Sequence, residues 1–260
     1  MNDLGDLQGR GALVTGAGQV GREIATSLAR HNAGAIVIVD LVMANSEAAV
    51  SAIEKEGGRG VAVAADITTA QGVEHLANAA KAAGQPIQIL VHNAGIAPGY
   101  FGADTMRPFA DTDPSTWAAT IRLNLDAVML VSHAFVKPMI AEKWGRIVTI
   151  VSDAARAGDR FMAAYAAAKG GSASFMRVLA RELGPNGITV NCVSLGSLWR
   201  DPNGEPPSAE VLAKFARNYP VGRPGTPADV ANLVTFLASG SASWITGQTY
   251  GLNGGYTFSL

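Results

Sequence analysis

Ala12-Leu-Val-Thr-Gly-Ala-Gly-Gln-Val-Gly-Arg22 is a short apolar run that breaks into spaced glycines and resumes as a helical pattern. Gly16, Gly18 and Gly21 fit the spacing G-x-G-x-x-G at a strand-to-helix turn. Glycines there let the backbone approach a pyrophosphate, whose charge then meets the unpaired N–H groups of a helix N-terminus. Gly16, Gly18, Gln19, Val20 and Gly21 are therefore candidate dinucleotide contacts. A tight turn also needs glycine, so the loop gains meaning from its place after the first strand of a β-α-β unit.

Outward from this loop, the pattern repeats. Apolar runs at Ala12–Thr15, Ala35–Val39, Gly60–Ala64, Ile87–Val91, Arg146–Val151 and Ile188–Val193 alternate with amphipathic stretches near 19–31, 45–57, 69–83, 114–141 and 162–183. Nearly continuous apolar runs are expected of parallel strands covered by helices on both faces. The alternation predicts an α/β fold: a single doubly wound parallel sheet of about seven strands, Rossmann-like and flanked by helices. No linker or composition break appears, so residues 1–260 read as one domain. Residues 97–113 and 197–225 depart from the alternation, the second being rich in Pro and Gly with a helical stretch at Ser208–Asn218. An insertion after the C-terminal end of a strand lies where ligands bind in such sheets, so 197–225 is expected to be a substrate lid. An ordinary long surface loop is the alternative.

The chain has 260 residues, 48% apolar and 16% charged, a balance suited to a well-buried core. A net charge of −1 without basic runs argues against nucleic acid as a partner. Cys192, the single cysteine, excludes an intrachain disulfide, and the four histidines show no metal-ligand spacing, so no metal is expected. No apolar run in the sequence reaches the ~20 residues that span a bilayer. The segment Met1–Asp6 has neither the basic nor the apolar region of a signal peptide. A cytoplasmic protein with no membrane partner is the expectation.

The chemistry is concentrated in Tyr165-Ala-Ala-Ala-Lys169, with Ser152 thirteen residues upstream. An i,i+4 pair shares one helix face, so phenol and ammonium can enter one cleft. A cation beside a phenol favours phenolate and lowers its pKa from about 10 toward working pH. The result is a general acid/base for a carbonyl/alcohol redox step. Ser152 follows the apolar run Arg146–Val151, at the mouth of a strand, where its hydroxyl can hold a carbonyl oxygen. The bland reading is an alanine-rich helix that merely packs. Asp40 ends the second strand nineteen residues beyond Gly21, where a ribose-binding acid is expected, with Leu41 beside it. Its charge would repel a 2′-phosphate, and residues 41–50 hold no Lys or Arg to neutralise one, so NAD is the expected cofactor. A solvated turn Asp is the alternative. Asp66, followed by Ile67, ends the third strand and either reaches the adenine edge or caps the next helix. Asn93-Ala94-Gly95 ends the fourth strand, where small residues let a cofactor lie close to the sheet, unless the trio is a bare turn.

Together these residues resemble the short-chain dehydrogenase/reductase family over essentially the whole chain. The loop at 15–21, Asp66, Asn93–Gly95, Asn124, Ser152 and Tyr165-x-x-x-Lys169 carry the resemblance, with Arg223–Asp229 and Ile245–Gly255 near the end. It implies that Tyr165 is the acid/base, Ser152 orients the carbonyl, Lys169 binds the nicotinamide ribose, and Asn124 holds a water in a proton relay. A buried Asn amid Leu123, Leu125 and Val128 must in any case find a partner. Gly196 and Leu198 are expected at the cofactor, and Asp153, Ala154, Met162 and Trp199 around a largely apolar substrate pocket. Such a pocket suits a cyclic, aromatic or acyl secondary alcohol or ketone. Arg156, Arg160 and Arg200 could recognise an anion or simply be solvated at the rim.

The chain departs from the family pattern in four places. The glycine loop is one residue short, His92 replaces an Asn, Leu195 replaces the Pro of Pro-Gly, and Arg200 replaces a Thr that contacts the nicotinamide amide. The stretch 152–171 is similar both to alicyclic hydroxyacyl-CoA dehydrogenases and to 3-oxoacyl-(acyl carrier protein) reductases. Small residues crowd helix 162–183, and family members pair through it, so a homotetramer is expected. A non-catalytic NAD-binding sensor or structural protein is the reading from another class, favoured by the altered loop and opposed by the intact tetrad.

Overall fold

In the computed structural model, which describes residues 5–96, 106–199 and 205–258, the six apolar runs become strands and a seventh joins them. They are β1 (Gly11–Thr15), β2 (Ala35–Asp40), β3 (Arg59–Ala64), β4 (Ile87–His92), β5 (Gly145–Ser152), β6 (Ile188–Leu195) and β7 (Thr249–Leu252). All pairings are parallel, in the order β3-β2-β1-β4-β5-β6-β7. The order reverses between β1 and β4, and the crevice at such a switch point is where ligands bind. The first glycine loop and Asn93–Gly95 both leave the sheet there.

Successive strand residues serve opposite faces. Ala12, Val14, Ile36 and Ile38 enter one core, and Leu13, Val37 and Val39 the other. Both faces are dry, which is why the runs read as continuously apolar. The first face is covered by α1 (Gln19–Arg30) and α9 (Pro227–Ala238), joined by a buried 2.9 Å hydrogen bond between the hydroxyls of Ser27 and Thr235. The second lies under α3 (Ala70–Ala82), α5 (Ala127–Glu142) and α7 (Ala163–Leu183). Elements α2 (Met43–Lys55), α4 (Pro114–Ile121), α6 (Ala154–Ala157) and α8 (Ala209–Ala216) complete the described helices, apart from short 3₁₀ turns.

One sequence expectation is corrected. The stretch 114–141 is not one uniform helix: a π-turn over Arg122–Asp126 separates α4 from α5. The run Pro114–Glu142 is also long and apolar enough to cross a bilayer by length and composition. Its Val128, Val131, Phe135 and Met139 are instead buried against the sheet. Strand β7 has only four residues, Thr-Tyr-Gly-Leu, too few to show a period. The start of α9 is well signalled locally. Thr226 and Asp229 form a reciprocal capping box with Pro227 in the first turn.

Candidate active site

At the C-terminal edge of the sheet a single cavity of about 1140 Å³ runs from the glycine loop past β4 and β5 to α8. It exceeds the roughly 300–1,000 Å³ of ordinary small-ligand pockets, as a site for a dinucleotide plus a substrate should.

Gly16, Gly18, Gln19, Val20 and Gly21 all line one end. A side chain on Gly21 would overlap the carbonyl of Gly16, so only glycine lets α1 start this close to β1. Gly18 is the N-cap of α1 and no side chain caps it. A β-carbon on Gly18 would meet nothing within 4 Å. An open, uncapped helix N-terminus beside a cavity fits a pyrophosphate. Asp40, Leu41, Asp66 and Ile67 line the adjacent wall. The Asp40 carboxylate accepts from Ala17 N at 2.9 Å, Val42 N at 3.1 Å and Asn45 Nδ2 at 3.0 Å, so it fixes the glycine loop while bordering the cavity. Asp66 accepts from the amide and hydroxyl of Thr68 at 2.9 and 2.7 Å. The cap of α3 is Thr69, which accepts from Gly72 N at 3.0 Å, so the capping alternative for Asp66 does not hold.

Asn93, Ala94 and Gly95 line the middle of the cavity. They are more than a bare turn. Asn93 Nδ2 donates to Thr15 O and Gly16 O at 3.0 and 2.9 Å, and Thr15 Oγ1 accepts from the amides of Asn93 and Ala94. Gly95 sits against Lys169 and Asn124: a β-carbon there would stand 2.7 Å from Lys169 Nζ and 2.8 Å from Asn124 Oδ1.

Ser152 is the last residue of β5, and its hydroxyl accepts from Ala154 N at 3.2 Å. Tyr165 and Lys169 are one turn apart on α7, both buried and both on the cavity. Lys169 Nζ lies 5.8 Å from the Tyr165 ring centroid and donates to Ile150 O at 2.8 Å. Burial pulls the Lys169 ammonium down to about 8. Asn124 lies one layer behind, in the π-turn and off the cavity surface. Its Nδ2 donates to Thr120 O at 3.0 Å, and Ser172 Oγ donates to its backbone carbonyl at 2.5 Å. Its buried Oδ1 finds no hydrogen-bond partner among the described residues. Single π-turns inside α-helices often mark functional sites. An orphaned acceptor next to Lys169 suits a relay in which Asn124 holds a water.

Ala154 and Met162, expected at the substrate, and Gly196 and Leu198, expected at the cofactor, all line the cavity. Of the other expected wall residues, one borders the cavity with its carboxylate committed elsewhere and one does not border it. Asp153 borders the cavity, but its carboxylate is buried and accepts from Ser194 Oγ, Asn253 Nδ2 and Thr257 Oγ1. Trp199 is off the cavity: Leu198 pairs with Gly225 in an isolated parallel bridge. Extended residues alternate sides, so Leu198 faces in and Trp199 faces out, its indole N–H donating to Glu205 O at 2.7 Å. His92 is likewise off the cavity, buried with Nε2 2.9 Å from Ser132 Oγ. That departure from the family therefore falls in the core, whereas Leu195 does border the cavity. Arg156 lies 3.8 Å from Asp153 and Arg160 stacks over Phe161, neither on the cavity; Arg200 lies outside the described residues.

Several site residues escaped the sequence reading. Arg122 borders the cavity beside the π-turn, and Lys214, Phe215, Asn218 and Tyr219 enter it from α8 and the turn after it. The spacing 214, 215, 218, 219 is one helix face and could have been read. Tyr256, after Asn253-Gly-Gly, had no local signal.

The family model described as "Enoyl-(Acyl carrier protein) reductase" matches residues 16–257. The chain is 36% identical over 255 residues to a 3-oxoacyl-(acyl-carrier-protein) reductase of Pseudomonas aeruginosa, covering 96% of this chain and 98% of that protein. It is 37% identical over 248 residues to the Synechocystis protein of the same name, covering 94% and 95%. A short-chain reductase of Streptomyces niveus is 35% identical over 254 residues, covering 94% and 92%. Among solved structures, one described as a candidate gluconate dehydrogenase from Agrobacterium tumefaciens superposes with TM-score 0.88 at 27% identity, covering 99% of both chains. A candidate short-chain alcohol dehydrogenase from Sinorhizobium meliloti gives 0.85 at 28% identity, covering 98% of both.

Proposed function

We propose, for a chain that belongs to the short-chain dehydrogenase/reductase family of nicotinamide-dependent oxidoreductases, the NAD-dependent interconversion of a secondary alcohol and a ketone. The observation that carries this reading is the convergence of Ser152, Tyr165 and Lys169 on the cavity that the uncapped glycine loop and Asp40 also line. NAD, when bound, supplies the hydride acceptor, and in reduced form the donor. Gly16–Gly21 hold the pyrophosphate and Asp40 accepts from the adenosine ribose hydroxyls. Ser152 orients the substrate oxygen. Tyr165, as phenolate, takes the hydroxyl proton in oxidation and returns it in reduction. Lys169 keeps that phenolate accessible and binds the nicotinamide ribose, and Asn124 Oδ1 positions a water that exchanges protons with solvent. Residues 205–225, with α8 on the cavity, act as the described part of a substrate lid.

Asp40 is what favours NAD over NADP. Its carboxylate would meet a 2′-phosphate as a like charge, with no cation among residues 41–50. A cyclic, aromatic or acyl substituent suits the apolar wall of Met162, Phe215 and Tyr219. A second reading, reduction of a 3-oxoacyl thioester, draws on the names of the relatives at 36–37% identity. Following NADH absorbance with a panel of secondary alcohols, and its consumption with a 3-oxoacyl thioester, separates the two. No turnover of any of them in either direction would leave a non-catalytic NAD-binding protein as the better account.

The same reading includes a cytoplasmic homotetramer with only small-molecule partners, neither nucleic acid nor membrane. Small residues of α7 and the exposed Ile121, Met129 and Val178 offer apolar surface for pairing. Light scattering returning a monomer mass would rule out the tetramer.

A further inference from the structure

The substrate end of the cavity carries a second phenol whose surroundings are the reverse of those of Tyr165. Tyr256 Oη donates to Asp159 Oδ1 at 2.9 Å, and that carboxylate raises the Tyr256 pKa above the ordinary phenol value. Tyr165 has the Lys169 ammonium nearby, whereas Tyr256 is bonded to a carboxylate. Tyr256 remains a neutral phenol at working pH, which makes it a wall rather than a rival acid/base.

Its ring is equally committed. It stacks on Tyr219 with centroids 5.2 Å apart and planes at 19°. Tyr219 is buried, packs on Phe215 of α8 with centroids 5.2 Å apart, and donates from its hydroxyl to Ser197 Oγ at 2.9 Å. Three chain segments therefore meet at Tyr256: the turn before α7 through Asp159, the lid through Tyr219, and the stretch after β7. That last stretch is anchored below by Asp153, next to Ser152. Asp159, Tyr219 and Tyr256 all face the cavity.

We infer that Tyr256 is a specificity-determining residue: with Tyr219 and Asp159 it forms a clasp that holds the lid helix over the substrate end and gives that end an aromatic wall for ring-bearing alcohols. The inference deepens the dehydrogenase reading and rests on it. The clasp links the lid to the strand end that carries Ser152, through Tyr256, Thr257 and Asp153.

Two variants and two readouts test it in the full chain. Tyr256→Ala removes ring and hydroxyl; Tyr256→Phe keeps the ring and loses the bond to Asp159. Tyr256→Ala should lower the ratio of kcat/KM for cyclohexanol or 1-phenylethanol over that for 2-butanol by about tenfold, mainly through KM. An unchanged ratio overturns the specificity role. Backbone amide exchange over residues 209–219, measured without substrate, should quicken in both variants, more in Tyr256→Ala. Exchange equal to that of the parent overturns the clasp. If the parent turns over no alcohol while exchange still quickens, the dehydrogenase reading and the specificity role fall together and the clasp stands.

Discussion

Lys169 Nζ and Asn124 Oδ1 both crowd the open side of Gly95, so that a methyl group there would lie within 2.8 Å of both. Lys169 has little room to retreat, because its ammonium is buried and already bonded to Ile150 O. Gly95→Ala is therefore expected to leave the fold intact and cut kcat/KM by roughly 10²-fold, by displacing Lys169 from Tyr165. Far-UV circular dichroism and steady-state kinetics check the two halves. Unimpaired turnover would show that the close approach of these three residues is dispensable.

Tyr165→Phe isolates the proton transfer. The ring and its packing remain, and only the oxygen proposed as acid/base is lost. The expected fall in kcat is roughly 10²–10⁴-fold, the usual contribution of general acid/base catalysis. NADH affinity, read by fluorescence titration, should stay close to the parent value. Near-normal turnover would transfer the acid/base role to another group.

Much of this site was legible because it depends on local geometry. The i,i+4 spacing of Tyr165 and Lys169 puts them on one face in any helix, and a glycine loop after β1 opens toward the C-terminal edge in any doubly wound sheet. What stayed hidden depends on direction or distance. Leu198 and Trp199 are neighbours in sequence, and only the pairing of Leu198 with Gly225 decides which one faces inward. The carboxylate of Asp153 is taken up by Asn253 and Thr257, about a hundred residues away. The orphaned oxygen of Asn124 comes from a π-turn that a 3.6-residue period does not announce.

In the proposed reading, cofactor choice rests on the carboxylate of Asp40. Asp40→Ala combined with Leu41→Arg removes the charge that would repel a 2′-phosphate and supplies one that would attract it. Leu41 is exposed at the cavity lip, so the arginine can reach without disturbing packing. The kcat/KM ratio for NADP over NAD is expected to rise by about 10²-fold or more, as for gain of a charge-assisted contact. The same exchange costs some stability, since Asp40 also accepts from Ala17 N. A ratio that does not move would remove Asp40 from the ribose site.

His92 should shape the acid limb of stability. It is wholly buried against Ser132, and desolvation, aided by the charge of Lys169, lowers its pKa from 6.5 to about 3. Above pH 6.5 neither folded nor unfolded chain protonates it, and its neutral form contributes in full. As pH falls through 6.5 the unfolded chain takes up the proton first, so stability is lost progressively down toward pH 3. Between pH 7.5 and pH 5 this group alone should cost about 2 kcal/mol, or several degrees in Tm. His92→Gln keeps a side chain able to bond Ser132 but has nothing to titrate. Its Tm should therefore lie below that of the parent at pH 7.5 and close that gap at pH 5. Parallel Tm profiles for the two proteins across this range would mean that His92 charges in the native state as readily as in the unfolded chain.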